Sequence, residues 1–425
     1  MKSPTVASLK KVTPENLAGL GAERLAAILV AVANTRPELK RRLRMELAAE
    51  QGADHLAVEI DRRLATLESS RSRVSWRHRP TFVRDLEGLR VLIAVRLAGL
   101  DQTGALDRLW PFMGLARRLG ARVRDKDGEL GAVFVRAAAD IGRLAAGAGD
   151  ARHAETLVEA MIDNPPVWAE WLPVVLGGGP LAFAEAALRL MSQRAGASPG
   201  LVPLIRQLAD AAVDVDAFQS TYPPGALLTP TVAAEVAKRL LAVGRLNEAG
   251  QVLEAAGPAQ AQTKGAKANR ARGAEPDYDW ETVWIDYLDQ SGQSKTAQAT
   301  RWASFERTLS ADRARDFTRR LADFDDVEAE GRAFAYAAGH ADFERGLRFL
   351  MEWPALPEAA RMIEARAEEV RIADEQAELW ARQLRTRQPE AAHTLLRKAA
   401  AGAFRRGELA TCNRLTVEAD AIELG

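Results

Sequence analysis

The sequence predicts an all-α protein: helical hairpins stacked as an α-solenoid, with a tetratricopeptide-like C-terminal half. Three observations carry that expectation. Apolar residues recur at three- and four-residue steps almost throughout, glycine and proline clusters cut the chain into short helices, and one glycine-to-small-residue form returns in the second half.

The helical period comes first. Leu17, Leu20, Leu25, Ile28, Leu29 and Val32 form one face; Phe82, Leu86, Leu89, Ile93 and Leu97 form a second. Val133, Phe134, Ala137, Ile141 and Leu144 repeat the pattern, as do Trp280, Val283, Trp284, Tyr287 and Leu288. Alternation at period two is absent over any useful length, and β-branched residues never gather into a strand-like block. Alanine, leucine, arginine and glutamate dominate, all good helix formers.

Punctuation sets the connections. Thr13 before Pro14, Ser310 and Asp323 are expected helix caps. Asn164-Pro165-Pro166, Gly177-Gly178-Gly179-Pro180, Ser198-Pro199-Gly200 and Tyr222-Pro223-Pro224-Gly225 read as breaks between helices. Length suggests more than one domain, and the expected division is an N-terminal helical domain over 1–220 and a repeat domain over 221–425. Within the second, 257–277 has no Leu, Ile, Val, Phe, Met or Trp and is expected to be a mobile loop.

Composition narrows the function classes. Apolar residues make up 47% and charged residues 27%, as in a globular protein. Lys plus Arg and Asp plus Glu number 58 each, so the whole chain has no electrostatic pull toward nucleic acid or membranes. A single cysteine, Cys412, excludes an internal disulfide framework and suits a reducing cytoplasm. The first residues carry lysines without an apolar stretch behind them, and the apolar run Leu25 to Ala33 is about half of what a membrane span needs. The expectation is a cytoplasmic protein without a membrane segment.

The repeat form is clearest at Leu241-Ala242-Val243-Gly244-Arg245-Leu246-Asn247-Glu248-Ala249. A helix ends at a glycine turn, and a second begins whose small residue lets the pair approach closely. This string resembles the centre of a tetratricopeptide repeat. It returns at Tyr287 to Ala297 and, more weakly, at Ala341 to Gly346; Pro389-Glu390-Ala391-Ala392 begins another second helix. The small positions Ala249, Ala297 and Gly346 lie farther apart than the roughly 34 residues of that repeat. The loop accounts for the first excess, and longer helices are expected to account for the second.

Four longer strings carry a wider resemblance: Asn16 to Ala26 with Lys40 to Arg44, Arg301 to Ser310, Asp323 to Glu330, and Trp353-Pro354-Ala355-Leu356. By these the chain resembles, over nearly its full length, a family of bacterial all-helical proteins known as a domain of unknown function. The resemblance implies fold and no mechanism.

Candidate chemistry is sparse. The one Glu-x-x-His unit, Glu390 to His393, and the shorter Asp150 to His153 do not make the paired units of a helical di-iron site. The acidic string Asp323, Asp325, Asp326, Glu328 and Glu330 lacks the glycine turn of a calcium loop and instead complements a helix N-terminus. Gly177-Gly178-Gly179-Pro180 follows no strand and precedes no Lys-Ser/Thr, so it is an inter-helix turn and not a phosphate loop. Neither Cys412 nor any serine stands in a nucleophile motif. No cofactor or metal is expected.

The basic segment Arg71 to Arg79 stands out. Arg73, Trp76, Arg77 and Arg79 combine charge for phosphate with an aromatic for stacking, within a region (36–96) of 14 Lys/Arg against 9 Asp/Glu. The competing reading places Trp76 in the core of a solvated joint. Lys264, Lys267, Arg270 and Arg272 in the loop, and Trp280, Trp284, Trp302 and Phe305 in the repeats, have the same two readings. The expected function is a non-catalytic scaffold holding a protein or peptide partner. Nucleic-acid binding through 71–79 is the alternative, and an enzyme with a site assembled from distant residues ranks third.

Overall fold

The structure, a computed structural model, describes residues 12–148, 151–194, 198–223, 225–258 and 276–423. The chain divides into two compact units, Met1–Pro224 and Gly225–Gly425. The expected loop 257–277, with Lys264, Lys267, Arg270 and Arg272, lies almost wholly outside the described residues, as does Asp150.

The first unit holds α1 (Pro14–Ala18), α2 (Ala22–Thr35), α3 (Pro37–Gln51), α4 (Ala53–Ser69) and α5 (Arg79–Val91), which runs into a π-helical turn at Leu92–Leu97. It continues with α6 (Gln102–Arg122), α7 (Glu129–Ala148), α8 (Ala151–Asp163), α9 (Pro165–Gly178), α10 (Leu181–Arg194), α11 (Val202–Ala211) and α12 (Val215–Ser220). Packing is sequential: α4 lies on α6, α5 on α7, α7 on α9, α8 on α10 and α9 on α11. The faces predicted at Leu86 to Leu97 and Val133 to Leu144 form its core, with Ile93, Leu97, Val133, Ala137 and Ile141 fully buried. Among the described residues there is no strand, only an isolated bridge between Val74 and Val123.

The second unit comprises α13 (Pro230–Ala242), α14 (Leu246–Ala255), α15 (Tyr278–Gln290), α16 (Ser294–Thr308), α17 (Ala311–Thr318) and α18 (Asp325–Ala338). Then come α19 (Phe343–Glu352), α20 (Leu356–Ala365), α21 (Asp374–Leu384), α22 (Pro389–Arg405) and α23 (Leu409–Asp420). Nearly every helix packs on its successor, and α13, α18 and α20 also reach α15, α20 and α22. Both units are thus stacked hairpins, the solenoid arrangement, in which each pair covers its neighbour.

The expected corners are present. Gly244 and Gly292 turn the chain at φ 76° and 79°, a region open to glycine without strain. Ala249 and Ala297 are fully buried one turn later. The wide spacing before Gly346 has a different cause from longer helices: the eight-residue α17 is inserted between the pairs α15/α16 and α18/α19.

Three local expectations are corrected or refined. Thr13 and Ser310 cap their helices, accepting from the backbone N–H of Asn16 at 3.3 Å and Arg313 at 3.4 Å. Asp323 does not; Phe324, at φ 75°, is the residue that precedes α18. The Leu17 to Val32 face is not core: α2 buries only Ala33, and Ile28, Leu29, Val30 and Val32 stay exposed. Periodicity marks an apolar face without saying whether anything covers it. Gly177 and Gly178 belong to α9 and not to a turn; Gly178 lies against the α7 backbone, and a Cβ on Gly142 of α7 would stand 2.0 Å from the Val175 carbonyl oxygen.

Arginines tie helix ends to other helices. Arg118 and Arg122 donate to the Glu68 and Leu67 carbonyls at the end of α4. Arg345 reaches the last carbonyls of α16, Arg366 that of Ala338 in α18, Arg315 that of Glu352 in α19, and Arg385 that of Ala421 after α23. These carbonyls have no partner within their own helix.

Gly346 gives a direct test of this packing. Its added Cβ would lie 2.2 Å from the Ala337 carbonyl oxygen, whereas one on Gly331, also helical, meets nothing within 4 Å. Helix propensity alone favours alanine at both by about 1 kcal/mol. Gly346→Ala is therefore expected to lower unfolding stability by about 1–3 kcal/mol in urea, the cost of an overpacked seam. Gly331→Ala should leave it unchanged or raise it; equal effects would refute the close approach.

Candidate functional site

The basic segment joins α4 to α5 and is laid against the end of α6. The Val74 N–H donates to the Arg122 carbonyl at 3.1 Å. Arg122 in turn donates to the Ser72 carbonyl at 2.8 Å and the Ser70 hydroxyl at 2.9 Å. Sequence reasoning missed Arg122, which lies about fifty positions away from the backbone it organises.

On that frame Arg73, Trp76 and Arg77 are exposed, Trp76 at 77%, and the Arg77 guanidinium lies 5.3 Å from the centre of its ring. Trp76 is therefore not a core residue. Arg79, in contrast, is engaged within the fold, pairing with Asp127 and donating to the Arg124 carbonyl at 3.2 Å. His78 accepts or donates at 2.8 Å to the Ser75 hydroxyl, closing the turn before α5.

The other singled-out residues lie apart from this segment. His153 is buried and its Nδ1 accepts from the Trp110 indole at 3.2 Å. Asp325, Asp326 and Glu328 occupy the first turn of α18, where carboxylates offset the helix dipole. Trp280, Trp284, Trp302 and Phe305 pack among other rings, with Trp280 and Trp284 stacked 5.6 Å apart. Among the described residues no group of three or more His, Cys, Asp or Glu is placed to hold a metal.

A model for a family of unknown function, DUF6880, matches residues 7–167 and 191–408, most of the chain. The chain belongs to DUF6880. None of the curated proteins matches it. Among solved structures it is similar to a circular tandem repeat protein with novel repeat topology and enhanced subunit contact surfaces, at 15% identity over 94% of this chain and 93% of that one, with a TM-score of 0.21. No described helix of this DUF6880 protein is long and apolar enough to cross a membrane.

In the second unit the structure gathers charged groups that sequence reading left apart. Arg301, with no exposed surface, donates to Asp316 at 2.6 Å and to Asp289, so one guanidinium links α15, α16 and α17. Glu281, also buried, accepts from the Ser304 hydroxyl at 2.6 Å and from Arg307. Arg313 donates at 2.6 Å to Thr282 and lies 4.2 Å from the Tyr278 ring centre. A cavity of about 440 Å³ opens beside this seam, its wall including Asp286, Asp312, Asp316 and Arg320.

These carboxylates differ in proton affinity. Burial alone would raise the Asp316 carboxyl, but hydrogen bonds from Arg301 and Arg320, with their charges, outweigh it and hold it below the usual carboxylate range. Asp286 is pushed above that range, first by desolvation and then by the charges of Asp316 and Asp289, against Arg301 and Arg320. The arrangement is the kind that separates an acid from a base in an active site. Here the guanidiniums already saturate Asp316, which makes the cluster a tie between helices.

The signs give a test. A depressed folded pKa contributes stability above the unfolded value of about 4, lost as pH falls through the folded one. A raised pKa contributes below about 4 and turns into a cost as pH rises through the folded value. Asp316→Asn is thus expected to lower stability at pH 7 by about 2 kcal/mol or more, since it leaves a buried guanidinium short of a partner. Asp286→Asn should raise it by a few tenths of a kcal/mol, solvent screening keeping the gain small, and the gain should vanish below about pH 4. Denaturant unfolding at pH 7 and pH 3.5 checks both; destabilisation by Asp286→Asn would refute the assignment.

Proposed function

We propose that this chain is a non-catalytic helical-repeat scaffold that binds a protein or peptide segment along the stacked pairs of its second unit. The observation that supports the reading is the sequential packing of α13 to α23, in which nearly every helix covers its successor, the arrangement that gives helical repeats an extended surface. The last two helices add apolar anchors, with Phe404 63%, Leu409 60% and Val417 68% exposed. Peptide-library selection on the purified full chain should enrich sequences with a shared spacing of apolar residues. Phe404→Ser with Leu409→Ser should weaken the selected peptides about tenfold, as removal of anchor contacts does, without changing the unfolding midpoint. Selection of no peptide above background would overturn the scaffold reading, as would binding indifferent to the double substitution.

Exposure of Trp76 favours a second reading, single-stranded nucleic-acid binding through Arg73, Trp76 and Arg77. A tryptophan in solvent beside the Arg77 guanidinium, with Arg73 exposed three positions earlier, is a stacking platform with charge for the backbone. Low-salt gel shifts with an oligonucleotide should show a complex that weakens steeply with salt. Trp76→Ala should cost about 1–3 kcal/mol of its affinity. Absence of a shifted band at low salt would end this alternative.

A further inference from the structure

The first unit contains a cavity of about 280 Å³ among α3, α4 and α5, with Val32 of α2 at its edge. Leu39, Met45, Leu89 and Leu92 give it an apolar floor. Its charged wall is unbalanced: five arginines, Arg36, Arg41, Arg42, Arg63 and Arg84, face two carboxylates, Glu38 and Asp85.

The pairing within that wall leaves positive charge unspent. Arg41 and Arg63 share the single carboxylate of Asp85, at 3.2 Å and 2.5 Å. Arg42 comes no nearer than 3.9 Å to Glu46. Among the described residues Arg84 donates only to neutral oxygens, the Pro80 carbonyl and the Thr81 hydroxyl, and Arg36 makes no ion pair. The buried Nε of Arg41 has no hydrogen-bond partner there either. Burial pulls the Arg63 guanidinium below its ordinary value; Asp85 opposes this and the nearby Arg41 charge adds to it. An anion seated between these guanidiniums would relieve both the desolvation and the repulsion.

We propose that this cavity binds a small oxyanion carried on an apolar body, such as an alkyl phosphate. Guanidinium forks match the oxyanion, and the leucine and methionine floor takes the hydrocarbon, the mixed lining of small-molecule sites. The same headgroup chemistry reaches the chain either as a free amphiphile or as an anionic lipid in a bilayer.

Gly88 makes the site testable without dismantling it. It lines the cavity, and a Cβ there meets nothing within 4 Å. Gly88→Leu should fill the space in a helix-favouring way, and Arg36→Ala with Arg84→Ala should remove guanidiniums that hold no carboxylate. The full chain is titrated calorimetrically with octyl phosphate and with inorganic phosphate, and is sedimented with phosphatidylglycerol or phosphatidylcholine vesicles. One octyl phosphate per chain, at least about tenfold tighter than inorganic phosphate, supports the site. Both variants should weaken it by about tenfold or more with unfolding midpoints unchanged or, for Gly88→Leu, raised. Sedimentation with phosphatidylglycerol vesicles alone, lost in Gly88→Leu, supports it with a lipid headgroup as the source. Binding unaffected by Gly88→Leu, or no saturable binding of either form below about 1 mM, overturns it.

Discussion

A short helix ends in carbonyl groups that its own turns cannot satisfy, and in this chain arginines of other helices satisfy them. Arg118 and Arg122 do so for α4, Arg345 for α16, Arg366 for α18, Arg315 for α19 and Arg385 for α23. A guanidinium at a helix C-terminus also meets the negative end of the dipole, so one contact serves hydrogen bonding and charge together. Each contact spans from 28 to 55 positions of sequence, roughly the distance from one hairpin to another. The stack is therefore registered by directional bonds as well as by apolar burial, which is non-directional and would tolerate sliding.

Small residues complete the register. At Gly142 against Val175 and Gly346 against Ala337, helix backbones approach so closely that no side chain fits between them. Large rings then fill the adjoining space: Phe305, Phe349 and Trp353 pack with centroids 5.1 Å and 5.6 Å apart. Close seams and bulky fillings fix each other, because shifting a helix by one position would set a ring against a backbone. The buried Arg301 sits in the same scheme, holding α15 and α17 to α16 through Asp289 and Asp316.

What was legible in the sequence is what periodicity and local chemistry encode. The buried faces around Ile93, Ile141 and Leu288, the corners at Gly244 and Gly292, and the caps at Thr13 and Ser310 all follow from residues within a turn or two of each other. Contacts between distant residues left no such trace. Arg122 and Arg301 look like any surface arginine in the string, and only the fold shows that one organises the basic segment and the other is fully buried. The exposed face of α2 and the exposed Trp76 fail for the complementary reason, since an apolar residue advertises a wish for cover and not the presence of it. Of the candidate site residues, Arg73 and Arg77 are exposed, while Arg79 is held by Asp127, an acid 48 positions later.

The balance of 58 basic and 58 acidic residues hides this division of labour. Arginines that face carbonyls or matched carboxylates spend their charge on structure and are silent toward ligands. Function must then be sought where the matching fails, and in the first unit it fails around one space: five guanidiniums, two carboxylates and an apolar floor between α3 and α5. The cost falls on Arg63, the most buried of the five, where lost hydration and the Arg41 charge act against the guanidinium and Asp85 offsets them. Neutrality of the whole chain and a locally basic cavity wall within it are thus compatible, the first being a sum and the second a local imbalance.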